Sequence, residues 1–361
     1  MRRLPAVVAA LSVVLTGCSG STTPTRAASG TSAACPSTPA ADVTTPDGWL
    51  GWLAGHRDDV AVLVRSGKET LVQHRADEPQ PLASAIKAVH LAAWAAAVED
   101  GRLAADQQVR VGDWERWYLP GTDGGAHVAA LDRLGIASDG VRALGPEARV
   151  VLADVVSAMV RESDNAAPDL LRDLLGEEAL VAAAADAGWT APELPTFLAT
   201  FLRLLDPAGV QDAGGAEAAA RHYAADPAEA ARVQALPLPG LDAQVAWAGS
   251  TPAATATELV DLHAALGAGD PPGAREQLEW QPPPPGLASL GFKGGALPGV
   301  LAEAVAVRAA DGTTTVGVLL VREMAPEEWA AALTAGLPHQ QLLVGALTDP
   351  AEAHRLGCAL G

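Results

Sequence analysis

The sequence predicts an α/β fold of the α+β kind, in which both ends of the chain build one antiparallel sheet and an all-α lobe is inserted between them. Strand-like runs lie near the start, at 60–64 and 70–74, and return near the end, at 287–295, 301–307 and 314–321. The long middle, from about 176 to 249, is rich in Ala and Leu, broken by Pro, and holds no convincing strand. Strands at the two ends of a chain with helices between them bury their apolar faces most simply in a shared sheet.

Each element follows from local pattern. Met1-Arg2-Arg3 is a short positive region before the apolar run 4–15, which is too short for a comfortable membrane span and is followed by small residues. That pattern reads as a secretion signal over 1–17. From 18 to 45 the chain is rich in Ser, Thr, Ala, Gly and Pro with no apolar period, so it reads as a flexible tether. The folded domain is expected over 46–361, with an α/β lobe formed by 46–83 and 250–361 and a helical lobe over 84–249. Trp49, Leu50, Trp52 and Leu53 fall on a helical period. The first two strand runs flank Ser66-Gly67-Lys68 as a hairpin. Ile86, Val89, His90, Ala93, Trp94 and Ala97 then recur at spacings of three and four, one buried helix face ending near Asp100-Gly101. A short extended piece at 109–111 precedes a Gly- and Pro-rich loop at 117–127. Helical spacing covers 150–161, runs into Glu162-Ser163-Asp164-Asn165, and resumes over 166–175. Thr251-Pro252-Ala253-Ala254 opens a helix through 266, Asp311-Gly312 turns the last two strands, and helices from Pro326 close the chain.

Composition narrows the function classes. The 361 residues are 49% hydrophobic, enough for a sizeable core. A net charge of −19, from 43 acidic against 24 basic residues, argues against nucleic acid as a partner. No CxxC, HExxH or metal-like His/Cys cluster occurs, so no metal or other cofactor is expected. Of 3 cysteines, setting Cys18 aside leaves Cys35 and Cys358, an even remainder that suggests a disulfide outside the cytoplasm, two free buried thiols being the other reading.

Three short motifs carry chemistry. In Ser84-Ala85-Ile86-Lys87 the hydroxyl and the amine lie one helical turn apart on one side, at a helix start whose free N–H groups favour negative charge. A lysine desolvated enough to lose its proton can take the proton of such a hydroxyl. A lone S-x-x-K arises often by chance, so the rest of the chain decides. Ser163-Asp164-Asn165 follows at a helix junction, and Lys293-Gly294-Gly295 lies on a predicted strand. In this order and local structure the three resemble the S-x-x-K, S-D-N and K-T-G signature of class A β-lactamases and penicillin-binding proteins. Thr251-Pro252-Ala253-Ala254 is similar to the class A stretch after its Ω-loop, and Leu15-Thr16-Gly17-Cys18 resembles a bacterial lipobox with Cys18 as the lipidated residue. The resemblance covers about 49–361.

It implies that Ser84 is the nucleophile that forms an acyl-enzyme and that Lys87 activates it. Ser163 would pass a proton to the leaving nitrogen, and Asn165 would hold Lys87 and the substrate amide. Lys293 would attract a substrate carboxylate, and the backbone N–H groups of Ser84 and Ala296 would form the oxyanion hole. Trp117 and Tyr118 are expected to form a wall of the cleft beside Gly294 and Gly295, with His127 near the mouth. In the resembling fold the first and last helices pack side by side, which would bring Cys35 and Cys358 to one edge. The partners implied are a small-molecule or peptidoglycan-like substrate and a lipid anchor on the outer face of the cytoplasmic membrane.

Two departures shape the functional expectation. Gly294 replaces the usual Thr or Ser of K-T-G, which removes a hydroxyl for a substrate carboxylate. The Glu that activates the deacylating water in class A enzymes has no counterpart shortly before Thr251, where 236–241 is apolar and Asp242 is the nearby carboxylate. Glu193, in Ala191-Pro192-Glu193-Leu194, is locally similar to the family's E-P-E-L but has Ala in place of the first Glu, and the role is not transferred to it. The expectation is a lipid-anchored serine hydrolase, weak as a β-lactamase. The alternatives are a D,D-carboxypeptidase or esterase on the same scaffold, or a non-catalytic relative that binds cell-wall peptide.

Overall fold

The computed structural model describes residues 34–361. The expected signal peptide and lipobox Cys18 lie outside the described residues. Among those described, no helix is long and apolar enough to cross a membrane. Among the described residues nine strands occur in chain order: β1 Val60–Ser66, β2 Glu69–His74, β3 Gln80–Pro81, β4 Gln108–Arg110, β5 Arg149–Val151, β6 Ala253–Ala254, β7 Leu287–Leu297, β8 Val300–Ala309 and β9 Thr314–Val321. Five of them form one antiparallel sheet in the order β2-β1-β9-β8-β7, so both chain ends contribute as the sequence predicts. The remaining four pair as two short ladders, β3 with β6 and β4 with β5.

Strand alternation sorts the sheet into two faces. Val60, Val62, Val64, Leu301, Val305, Leu319 and Val321 join the terminal helices Pro46–Gly55, Pro326–Thr334, Pro338–Thr348 and Pro350–Leu360 in one core. Ala61, Leu63, Ala302, Ala304, Ala306 and Val318 face the other way into a core continuous with the helical lobe. The small side chains on β8 make room for the Ala256–Ala268 helix and the Ala83–Ile86 turn against this face.

At the centre of the lobe is the helix Lys87–Glu99, buried almost all round, as a helix without a strong polar face must be. Around it run the helices Leu152–Arg161, Ala166–Leu175, Glu177–Asp186 and Phe197–Leu205. Thr255 and Glu258 form a reciprocal capping box at the start of the Ala256–Ala268 helix.

Residues 35–45, expected from composition to belong to a flexible tether, pack on the domain. Cys35 and Cys358 form a disulfide with a Cα–Cα distance of 5.5 Å, beside the contact of the first and last helices. A Cβ at Gly48 would overlap Asp42, and one at Gly51 would overlap Pro39 and Ala40. The segment 35–45 therefore lies fixed against the first helix. Composition reads low hydrophobicity as freedom, but here close backbone packing on two glycines and a covalent link hold the segment down.

Candidate active site

Ser84 lies on a single 3-10 turn, Ala83–Ile86, that leads into the Lys87–Glu99 helix. Ala83 adopts φ +46°, a left-handed conformation rarely tolerated outside glycine and often kept at functional sites. The turn rests on β7, where a Cβ on Gly295 would overlap the Ser84 backbone nitrogen. Glycine is required there for the strand and the nucleophile turn to meet.

One residue past the turn, Lys87 is fully buried. Its Nζ lies 3.0 Å from Ser84 Oγ, 2.6 Å from the Ser163 carbonyl, 2.7 Å from Asn165 Oδ1 and 3.2 Å from Ser163 Oγ. Burial lowers its pKa to about 7 although Asp164, Asp123 and Asp169 pull the other way. The carbonyl oxygens of Ser163 and Asn165 can only accept. In the neutral amine they take the two N–H groups, which leaves the nitrogen lone pair for the Ser84 hydroxyl. This is the geometry of a general base on a nucleophile.

Ser163 has φ +68°, and this left-handed turn presents both its carbonyl and its hydroxyl to Lys87. The same hydroxyl accepts from Lys293 Nζ at 3.0 Å, while Lys293 also donates to the Gly294 carbonyl at 2.7 Å. Burial and the neighbouring Lys87 hold the Lys293 pKa well below the ordinary lysine value, with Glu303 opposing them. Ser163 Oγ thus bridges two lysines, so a proton has a short path from Lys87 to a leaving group. Asn165 Nδ2 donates to the Thr122 carbonyl at 3.3 Å, which fixes the amide with its oxygen on Lys87.

What holds the turn is Asp164, whose role the sequence did not reveal. Its carboxylate accepts from Trp114 Nε1 at 2.9 Å, from the Ala167 N–H at 2.6 Å and from His127 Nδ1 at 2.6 Å. His127 Nε2 reaches Glu115 Oε1 at 3.0 Å. Burial disfavours a charged His127, but Asp164 and Glu115 outweigh it and raise the pKa to about 9. His127 is therefore part of a buried ionic bridge and not of the cleft mouth.

Trp117 and Tyr118 are displaced from their expected place in the same way. Both are buried in the helical lobe, with Tyr118 stacked on His127 at 4.1 Å between ring centroids. The loop's aromatic surface is used by the lobe's own core. Gly294 is also not a cleft surface: a side chain there would point to the far face of the sheet, into Phe292 and Glu303. Gly295 and Ala296 do lie at the cleft, the first under the Ser84 turn and the second lining the cavity beside Ser84.

That cleft offers about 490 Å³ of empty space, open solvent at its mouth included, and its aromatic walls are Phe197, Phe201 and Trp247. No local signal marked these residues, which come from the Pro-broken middle of the chain. The segment over the nucleophile is 195–201 and not the expected 236–241, where Leu238 and Leu241 are 49% and 45% exposed. Asp169, fully buried, accepts from the Phe197 and Leu198 N–H groups at 2.7 and 2.9 Å and anchors this segment. The Phe197 ring centroid lies 4.5 Å from Lys87 Nζ, a cation–π distance. Neither exposed Glu193 nor exposed Asp242 lines the cavity. Among the described residues, Cys35, His354 and Cys358 are gathered closely enough for a metal, but the two sulfurs are bonded to each other.

Comparison with known proteins agrees with this geometry. Residues 52–270 match the family described as the beta-lactamase enzyme family. No curated protein matches the chain. Among solved structures, a β-lactamase from Sphaerobacter thermophilus is similar with a TM-score of 0.52 at 18% identity, covering 83% of this chain and 98% of that one. A variant of the last common ancestor of Gram-negative bacteria class A β-lactamase gives 0.52 at 18% over 83% and 97%, and PBP-A gives 0.50 at 16% over 81% and 94%. At such identities these likenesses speak for the fold. With a family match over more than half its length and a serine–lysine centre in that fold, the chain belongs to the β-lactamase enzyme family, as a serine hydrolase of the β-lactamase and penicillin-binding-protein type.

Proposed function

We propose that the protein is an exported, lipid-anchored hydrolase that forms an acyl-enzyme on Ser84 from a β-lactam or a related amide or ester. The observation that carries this reading is Lys87 Nζ, buried, 3.0 Å from Ser84 Oγ, with its other hydrogen-bonding directions taken by carbonyl acceptors. Neutral Lys87 accepts the Ser84 proton as Oγ attacks the carbonyl carbon. The developing oxyanion is received by the backbone N–H groups of Ser84 and Ala296. The proton then passes through Ser163 Oγ, held by Lys293, to the leaving nitrogen or oxygen. The anchor is proposed at Cys18, and the substrate is a small molecule or a peptidoglycan-like fragment met outside the cell.

Deacylation is the slow half of the proposed cycle. A water must be positioned beside the acyl ester and lose a proton, and a placed general base is typically worth about 10²–10⁴-fold in rate. The side chain over Lys87 is the Phe197 ring, and no carboxylate lines the cavity. A penicillin acyl-enzyme should therefore accumulate. Intact-protein mass spectrometry after benzylpenicillin or a fluorophosphonate should show a single adduct, mapped to Ser84 and lost in Ser84→Ala. Fast multiple turnover of nitrocefin would refute the slow-deacylation reading, and no adduct with either reagent would refute the nucleophile.

A further inference from the structure

We propose that the preferred substrate is an uncharged carboxylic ester whose acyl group is apolar, and not a carboxylate-bearing amide; this rests on the acyl-enzyme chemistry at Ser84 proposed above. The cavity that must receive the acyl group runs from Ser84 and Ala296 between Leu297 and the Phe197, Phe201 and Trp247 rings. No charged side chain lines it.

Its threonine hydroxyls are engaged within the protein, and Asn165 gives its oxygen to Lys87 and one N–H to the Thr122 carbonyl. Thr122 Oγ1 donates to the Leu119 carbonyl at 2.7 Å, Thr200 Oγ1 to Thr196 at 3.0 Å, and Thr251 Oγ1 to Ala248 at 2.7 Å. Trp247 Nε1 donates to the Thr200 carbonyl at 3.0 Å and turns its ring to Phe201, 5.0 Å away between centroids. The nearest cations are no better placed for an anion. Lys87 lies beneath Phe197, and Lys293 is 2% exposed, spent on Ser163 Oγ and the Gly294 carbonyl. The strand positions that follow Lys293 are Gly294, Gly295 and Ala296, none with a hydroxyl. A substrate carboxylate would be desolvated there without a partner, which is costly, whereas each methylene of an acyl chain gains from burial.

The chemistry balances. Ser84 Oγ bonds to the acyl carbon, the ester C–O bond breaks, and the Ser84 proton reaches the departing alkoxide through Lys87 and Ser163. Water then attacks the acyl carbon, gives a proton to Lys87 and displaces Ser84, which regains its hydrogen and releases a carboxylic acid.

The test compares p-nitrophenyl acetate, butyrate, hexanoate and hemisuccinate on the mature protein, reading the rate of Ser84 acylation by stopped-flow and intact mass. Second-order acylation should rise from acetate to hexanoate by up to roughly fourfold per methylene. Hemisuccinate, which carries a free carboxylate, should react at least about tenfold more slowly than butyrate. Phe201→Ala and Trp247→Ala should each flatten the chain-length profile, lowering the hexanoate-to-acetate rate ratio at least about threefold. A flat profile in the wild-type protein, or hemisuccinate equal to butyrate, overturns the apolar-ester assignment. If fluorophosphonate still labels Ser84 in that case, the acyl-enzyme reading survives. Absence of that label removes both.

Discussion

At the scale of single residues, the protonation of Lys87 decides the chemistry. Its folded pKa of about 7 means that the ammonium dominates below that pH and the amine above it. The base must be the amine. Acylation of Ser84 should therefore rise with pH through about 7 and level off above it, measured as fluorophosphonate labelling rate in a stable pH window. Lys87→Ala should lower the plateau by roughly 10²–10⁴-fold and abolish the rising limb. Gly295 works by having no side chain. Gly295→Ala would press a Cβ on the Ser84 nitrogen, shift the nucleophile turn and slow acylation at least about tenfold, with a stability loss of about 1–3 kcal/mol. Normal labelling in this variant would mean that the turn can retreat without losing its function.

At the scale of elements, the Ser163-Asp164-Asn165 junction is held by groups from two other segments, Val111–Glu115 and Ala126–Arg133. Trp114, His127 and, through His127, Glu115 all converge on Asp164. Because the folded His127 pKa of about 9 lies above the ordinary 6.5, the charged ring favours the folded state. That stabilisation is fully present below about pH 6.5 and is lost as pH rises through about 9. Denaturant titrations of the wild type at about pH 6.5 and about pH 9.5 should differ by on the order of 2 kcal/mol from this group, and His127→Gln should lack the difference. His127→Gln should also slow acylation, since it loosens the turn that carries Ser163 and Asn165. An unchanged pH dependence of stability in the variant would assign the titration elsewhere.

For the whole molecule, the disulfide ties Cys35 to Cys358 across a sequence separation of 323 residues. It closes the chain at the edge where the first and last helices meet, opposite the cleft face of the sheet. In the chain-entropy picture so long a loop stabilises the fold by several kcal/mol, and removal of a native disulfide costs roughly 2–5 kcal/mol. Paired Cys35→Ser and Cys358→Ser replacement should lower the unfolding midpoint accordingly and leave the Ser84 acylation rate within about twofold. A large loss of activity in the folded variant would show that the outer layer of helices controls the cleft geometry.

The sequence by itself determined the sheet from both termini, the inserted helical lobe and the serine–lysine pair. Strand alternation is a local property and needs no knowledge of the remaining chain, whereas the serine–lysine pair stood out only through its place among three motifs that resemble a known signature. The motif order also brought Ser163, Asn165 and Lys293 to attention before any coordinates. Tertiary structure alone decided what surrounds them. Trp117, Tyr118 and His127 had the right chemistry for a cleft mouth, yet His127 pairs with Asp164 and Glu115, Tyr118 stacks on His127, and Trp117 is buried in the lobe's core. Phe197, Phe201 and Trp247 had no distinguishing local pattern, and they became the cleft wall because Asp169 pins the Phe197 segment and Trp247 hydrogen-bonds back to Thr200. Gly294 occupied a motif position, but the pleat of β7 turns it to the far face. Periodicity states which face of an element is buried; the partner it is buried against comes from other segments of the chain, and that contact sets burial, pKa and substrate fit.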